Sequence, residues 1–117
     1  QDILTVAVDG TVDFPTGLTS MSGTNRSFTG QGWQNLPGGL ILQWGTCTYL
    51  ASYGAAGQVF NLPKGFPNGI LSIVGCDAGS GAHRVGMQPL SKSTFSAWGG
   101  AYTGYLDTTI RYIAIGY

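Results

Sequence analysis

Glycine is spread along the whole chain and makes up 20 of its 117 residues. Glycine disfavours helix interiors, by about 1 kcal/mol relative to alanine. The apolar residues alternate or form short β-branched runs and do not recur every three or four positions. Both features predict an all-β chain, with main strands at residues 40–48, 58–62, 70–76, 83–88, 94–98 and 109–115. Several short strands separated by turns are typical of a β-sandwich.

The predicted strand at 40–48 has apolar residues on both of its faces, which favours a central position in a sheet. The strands at 70–76 and 111–115 have a similar pattern. We therefore expect one set of strand residues to line the core: Leu42, Trp44, Leu71, Ile73, Ile113 and Ile115.

The first part of the chain differs from the rest in composition. Residues 3–14 read as two short strands around Asp9-Gly10, a pair that suits a tight hairpin turn because both central residues need positive φ. Residues 15–31 are polar and rich in Gly, Ser and Thr, so we expect them to be extended and without a core of their own.

This change of composition predicts two units: a shaft-like β segment with a linker at 1–32 and a β-sandwich knob at 33–117. Trp33 is expected to pack the segment onto the knob in preference to stacking on a ligand. The chain begins at Gln1, and we expect it to be a fragment or a cleaved product.

Charge is scarce: five Lys or Arg side chains balance five Asp, and the formal net charge is zero. The scattered bases offer neither the clustered phosphate contacts of nucleic-acid binding nor a polybasic membrane patch. No apolar run approaches the roughly 18–20 residues that span a bilayer. We expect no nucleic-acid partner and no membrane insertion.

The two cysteines, Cys47 and Cys76, lie in predicted strands and lack the spacing of a zinc or redox motif. Buried free thiols are the favoured interpretation, and a disulfide stays open. The single histidine and the dispersed Asp residues predict no metal and no cofactor.

Three motifs carry a family resemblance: N-L-P-G-G-L-I-L-Q-W-G at 35–45, F-P-N at 66–68 and Y-I-A-I-G-Y at 112–117. Together they resemble the C-terminal domain of phage tail-fibre proteins, over residues 36–117, with Tyr112 where that family often has Trp. Residues 3–12 resemble, more loosely, the β repeats of fibre shafts. Independently of the family resemblance, two segments have the composition of turns: Pro37-Gly38-Gly39 and residues 66–69. We expect their roles to be structural.

The resemblance implies a homotrimer at the distal end of a virion tail fibre, assembled in the host bacterial cytoplasm. It also implies an adhesin that binds a bacterial surface glycan, commonly lipopolysaccharide. A shaft-like segment without its own core, in a chain rich in apolar strands and poor in charge, independently favours the homotrimer.

Glycan binding needs flat aromatic surfaces and planar hydrogen-bonding side chains on exposed loops. Two glycine-rich loops fit, and their candidate glycan-binding residues are Asp77, His83 and Arg84 in one and Trp98, Tyr102 and Tyr105 in the other. The alternative interpretation places Trp98 in the core and the two tyrosines at the trimer contact. It places His83 and Arg84 at a solvated strand start. Residues 49–57 form a third candidate surface.

Three other functions stay open: a structural trimerisation cap, a secreted carbohydrate-binding module and a glycan-cleaving tailspike enzyme. Glycoside hydrolysis ordinarily needs two carboxylates. The knob offers only Asp77 and Asp107, and no G-x-S-x-G nucleophile motif occurs. We therefore predict no catalysis.

Overall fold

The computed structural model describes residues 5–6, 12–13 and 26–117 and is built of β-strands with short 3-10 turns. In chain order the strands are β1 (Thr5–Val6), β2 (Val12–Asp13), β3 (Arg26–Ser27), β4 (Gly32–Asn35), β5 (Ile41–Tyr49), β6 (Gln58–Asn61), β7 (Ile70–Asp77), β8 (Arg84–Pro89), β9 (Thr94–Ala101), β10 (Gly104–Tyr105) and β11 (Thr108–Gly116). The all-β prediction is confirmed, and the main strands begin and end within a few residues of their predicted positions. No helix in the described ranges is long and apolar enough to cross a membrane.

The strands of the knob form two antiparallel sheets. The larger has five strands in the order β3-β4-β5-β11-β7. In the smaller, β9 is central: β8 pairs along one side of it, while β6 and β10 pair with its two ends on the other side. Strand β3 and the first residue of β4 precede the predicted boundary at residue 33, and both pair within the larger sheet.

The N-terminal strands β1 and β2 pair with each other, antiparallel, with Val6 opposite Val12. This pairing is the one expected of the predicted hairpin. The Asp9-Gly10 turn and most of the polar stretch 15–31 lie outside the described residues.

The core lies between the two sheets. On β11 the buried residues alternate with exposed ones, so that Ile110, Tyr112 and Ala114 point inward. From the facing sheet, the ring of Phe95 lies 4.8 Å from that of Tyr112. The buried apolar set is Ile41, Tyr49, Leu62, Phe66, Ile73, Phe95, Ala97, Ile110, Tyr112 and Ala114.

The predicted core set was wrong for all but Ile73. Leu42, Trp44, Ile113 and Ile115 lie on the outward face of the five-stranded sheet, where Ile113 is 53% exposed. Leu71 is 59% exposed and lies where the register of β7 shifts against β11. On β5 and β11 the alternation was right, but the predicted core face was reversed. Both faces of β5 and β11 are apolar enough to form a core, so the pattern alone could not decide between them.

The true inward face of β5 was obscured by Gln43 and Gly45. Gln43 is fully buried, and its side-chain amide makes two hydrogen bonds to the backbone of Lys64, which satisfy it in the core. Gly45 has no side chain, and the side chains of Tyr112 and Gln31 fill the space above it. Two residues that look polar or empty in the sequence are therefore part of the packed interior.

The sequence motifs at 66–69 and 112–117 meet in space. The backbone N–H groups of Asn68 and Gly69 donate to the carbonyl of Tyr117, at 2.6 and 3.0 Å, and Tyr117 N–H donates back to Gly69. Phe66 is buried beside Gly116, where a Cβ would collide with the Phe66 ring and with Gly69. These contacts support a structural role for both motifs.

Both cysteines are free thiols. Cys47 is half-buried, and burial raises the pKa of its thiol to about 11. Cys76 is exposed on the outward face of β7, so the prediction of a buried thiol was wrong for that residue. The exposed face of β7 is apolar, which is why its sequence resembles that of a buried strand.

Candidate glycan-binding groove

A groove of about 520 Å³ lies on the outward side of the four-stranded sheet. Its lining includes four of the six predicted site residues, Arg84, Trp98, Tyr102 and Tyr105. We call it the aromatic groove. Arg84 begins β8, Trp98 lies in β9, and the two tyrosines flank the start of β10, so the pairing of three strands brings them together.

Trp98 is held in a fixed orientation although it is only half-buried. Its indole N–H donates to the carbonyl of Ala55, 2.9 Å away. The ring lies against Gly57, where a Cβ would come within 2.6 Å of it. The 3-10 turn at Ala51–Ala56 therefore supports the indole from one side, and a ring fixed in this way suits stacking on a sugar.

Tyr102 and Tyr105 are the exposed aromatic residues of the groove. Tyr102 lies at the turn between β9 and β10 and is 90% exposed, while Tyr105 is 47% exposed, with its ring 6.3 Å from that of Tyr49. The turn is tight because Gly100 has no side chain: a Cβ there would lie against the backbone of Gly104.

Glycines on β8 and β9 lie opposite the two large side chains of the groove. Gly86 pairs with Trp98, and Gly100 pairs with Arg84. Directly opposed residues of an antiparallel pair share one face of the sheet. The Trp98 ring is thus not covered by a cross-strand side chain, whereas the space above Gly100 is taken by the backbone of Gly104 and Tyr105.

Asp77 and His83, the other two predicted site residues, are not in the groove lining. The Asp77 carboxylate accepts hydrogen bonds from the backbone N–H of His83, at 3.0 Å, and of Gly79, at 2.9 Å. These two bonds hold the pKa of Asp77 below its ordinary value of 3.8. The His83 ring shares a 2.9 Å hydrogen bond with the Thr108 hydroxyl. Both side chains shape the loop that leads into Arg84.

In the third candidate surface, residues 49–57, several groups support the fold. Tyr49 is fully buried, its hydroxyl donates to Gly54, and burial raises its pKa. The Asp107 carboxylate accepts a 2.8 Å hydrogen bond from the backbone N–H of Ala51. Tyr53 is the exposed aromatic side chain of this segment. Sequence reasoning missed that the segment supports Trp98, since the contact joins residues 43 positions apart.

A second depression, of about 610 Å³, lies on the outward face of the five-stranded sheet. We call this surface the apolar face and define it by Leu42, Trp44, Val74, Ile113 and Ile115. Val74 is 60% and Ile113 53% exposed. The Trp44 indole donates to Thr29 and lies 6.1 Å from the Phe28 ring. The lining of the depression also includes Arg111 and Thr46, but most of its surface is apolar, and we do not assign it to ligand binding.

Within residues 26–117, no three His, Cys, Asp or Glu side chains lie close enough together to hold a metal ion.

Three solved tail-fibre structures are similar to this chain. An N-truncated R2-type pyocin tail fibre matches with a TM-score of 0.66 at 19% identity, over 97% of this chain and 44% of that one. A longer R2 pyocin fibre fragment of P. aeruginosa matches with a TM-score of 0.66 at 19% identity, over 95% of this chain and 29% of that one. An N-truncated R1-type pyocin tail fibre matches with a TM-score of 0.56 at 22% identity, over 87% and 93% of the two chains.

This chain spans less than half the length of the two R2 fibre structures. At these identities the likeness shows a shared fold. Comparison with curated protein sequences finds no match.

The family comparison covers most of the knob. Residues 35–117 match the family described as "Putative tail fiber protein gp53-like, C-terminal". The match contains all three motifs that carried the sequence resemblance, and the fold agrees with that of pyocin fibres. The chain therefore belongs to the gp53-like family of tail-fibre C-terminal domains.

Proposed function

We propose that this tail-fibre domain binds a glycan of the host cell surface, lipopolysaccharide in the leading case, through the aromatic groove. The observation that carries the proposal is the combination of a fixed indole at Trp98 with exposed tyrosines at 102 and 105. Tyrosine among glycines is the composition of adaptable binding loops, because its large ring makes contact at low entropic cost. The domain would then lie at the distal end of a virion fibre assembled in the host cytoplasm.

We also propose that the domain works as a homotrimer, with the apolar face buried between copies. Large apolar side chains cover two adjacent strands of this face and extend onto a third, and contiguous exposed apolar patches of this kind mark interaction sites. Light scattering should then give three times the chain mass of 12.2 kDa. A monomer at micromolar concentration would overturn this part of the proposal.

With three copies of the groove on one fibre tip, each groove can bind its sugar weakly and the tip can still attach. A shallow site with millimolar affinity contributes only about 4 kcal/mol. Linking several such sites can raise the overall affinity by a factor on the order of a hundred to ten thousand. Attachment of a fibre tip would then depend on the number of grooves engaged at once.

The proposed function includes no glycan cleavage. A hydrolase needs carboxylates that face the substrate, whereas Asp77 accepts two backbone hydrogen bonds and Asp107 accepts one. Incubation with purified host polysaccharide should release no new reducing ends. Their steady appearance, lost in an Asp77→Asn or Asp107→Asn variant, would reverse this conclusion.

The decisive test compares two exposed tyrosines. Tyr102→Ala should strongly reduce adsorption to host cells and leave the melting temperature nearly unchanged, because a 90% exposed side chain supports little of the fold. Tyr53→Ala, at a 47% exposed position outside the groove, is the matched control and should adsorb normally.

The reverse result, with adsorption lost only in Tyr53→Ala, would move the site to the 49–57 segment. Normal adsorption by both variants would favour a structural trimerisation cap, the function that the apolar face alone supports.

A further inference from the structure

The aromatic groove contains one charged side chain, Arg84, and no carboxylate in its lining. The guanidinium offers five N–H donors in a planar fork and stays protonated at all relevant pH values. Its cross-strand neighbour is Gly100, and the next residue of β8 on the same face is Gly86. Neighbouring side chains of the sheet therefore do not cover it.

Within the described residues, Arg84 forms no ion pair and no side-chain hydrogen bond. Asp77, seven positions earlier, accepts hydrogen bonds from the backbone N–H groups of Gly79 and His83. Among the described residues, none pairs with the positive charge in the groove, which leaves it for a ligand or for solvent.

The position of Arg84 relative to the rings matters more than its exposure. An arginine on an open surface is ordinarily just solvated, but here it shares one groove with Trp98, Tyr102 and Tyr105. A sugar ring stacked on an aromatic surface places its substituents a few ångströms away, within reach of a long side chain. Planar, bidentate binding of a phosphate or carboxylate is the interaction for which arginine is best suited.

We propose that the groove selects sugars that carry an anionic group, a phosphate or a carboxylate, which Arg84 binds while the aromatic rings hold the sugar ring. This inference rests on the proposed glycan-binding function and specifies its ligand class. A neutral sugar would satisfy the aromatic part of the site and leave the guanidinium to water.

The test is a titration of the isotope-labelled full chain with three matched sugars: glucose, glucose 6-phosphate and glucuronic acid. Backbone amide shifts of residues 84–86 and 98–105 report on the groove. We expect both acidic sugars to bind about fivefold more tightly than glucose at low salt, the gain of an exposed charge pair. The difference should shrink as ionic strength rises.

Variants of Arg84 test whether its charge causes the preference for acidic sugars. Arg84→Gln should reduce binding of the acidic sugars to the level at which the same variant binds glucose. Arg84→Lys should keep part of the preference, since it retains charge without the fork. Lys92→Gln removes an exposed cation outside the groove and is the control that should change nothing.

Two outcomes would overturn the inference and are distinguishable from failure of the proposed function. Equal binding of all three sugars at the groove would show a glycan site without anionic selectivity. Absence of groove shifts with every sugar would also overturn the inference. The proposed function would then be judged independently by the adsorption of Tyr102→Ala and Tyr53→Ala.

Discussion

The outward face of the five-stranded sheet carries large apolar side chains, among them Trp44, Val74 and Ile113, whereas the outward face of the four-stranded sheet has glycine opposite its tryptophan and its arginine. The first is an apolar surface of the kind that a protein partner covers. The second has exposed rings beside Arg84. The two sheets therefore present surfaces of different chemistry, which fit the two partners proposed above, a second copy of the chain and a sugar.

A charge placed on each of two equally exposed valines tests whether the apolar face holds copies of the chain together. Val74, on the apolar face, is 60% exposed, and Val59, on β6 of the other sheet, is 58% exposed. Val74→Lys should dissociate the proposed trimer, because a second cation next to Arg111, buried in a contact without a partner, costs about 3–5 kcal/mol. Val59→Lys should leave it intact.

Light scattering of both variants decides the matter, with three times 12.2 kDa expected for the Val59 variant and 12.2 kDa for the Val74 variant. An unchanged mass for both would mean that the apolar face does not hold the copies together.

The glycines of the groove divide into those that close the fold and those that leave space. A Cβ at Gly100 would lie 2.5 Å from the carbonyl oxygen of Gly104, while one at Gly86 would meet Trp98 at an ordinary 3.7 Å. Gly100→Ala should therefore lower the free energy of unfolding by about 1–3 kcal/mol, as overpacking does. Gly86→Ala should change it by less than about 0.5 kcal/mol.

Denaturant unfolding of the two alanine variants measures this difference. Equal stability would mean that β10 can move away from β9 at little cost and that the groove is not rigid.

The two faces also explain how far the sequence could predict the fold. Alternation and turn residues located the main strands because both depend on local backbone geometry. The choice of core face failed because Leu42 and Trp44 look more like core residues than Gln43 and Gly45 do. Burial of Gln43 depends on the backbone of Lys64, 21 residues away. No local pattern reveals such a contact.

The candidate site shows a similar contrast. Composition alone grouped Trp98, Tyr102 and Tyr105, and the structure brings them into one groove, while their binding of a glycan stays a prediction. Asp77 and His83 were grouped with them on chemistry, yet their hydrogen bonds go to their own loop and to Thr108. Whether a polar side chain faces a ligand or its own backbone depends on distances of a few ångströms, which spacing in the sequence does not give.

A smaller change fills the space in the groove and leaves the apolar face untouched. Gly86→Val would place a branched side chain beside the Trp98 ring, in a strand that favours such residues. Glycan affinity or adsorption should fall about tenfold, equivalent to about 1.4 kcal/mol. The oligomeric mass should not change.

Adsorption measured beside light scattering separates the two faces, and Gly86→Ala is the control for the loss of glycine itself. Normal adsorption by the valine variant would place the sugar away from Trp98.

The smallest expected effect is on pH dependence, and it also distinguishes the two faces. Because two backbone hydrogen bonds lower the pKa of Asp77 below 3.8, the carboxylate stabilises its loop fully above that ordinary value. The stabilisation is lost only as pH falls below about 4, through the lower folded pKa. The amide signal of Gly79, whose N–H donates to this carboxylate, should thus move as pH falls below about 4. Asp77→Asn, which cannot titrate, should abolish that acid transition.

The apolar face has no carboxylate among its defining residues, so the proposed trimer should persist through the acid transition that releases the loop. Simultaneous loss of both would show that the loop next to Arg84 is coupled to the contact between copies.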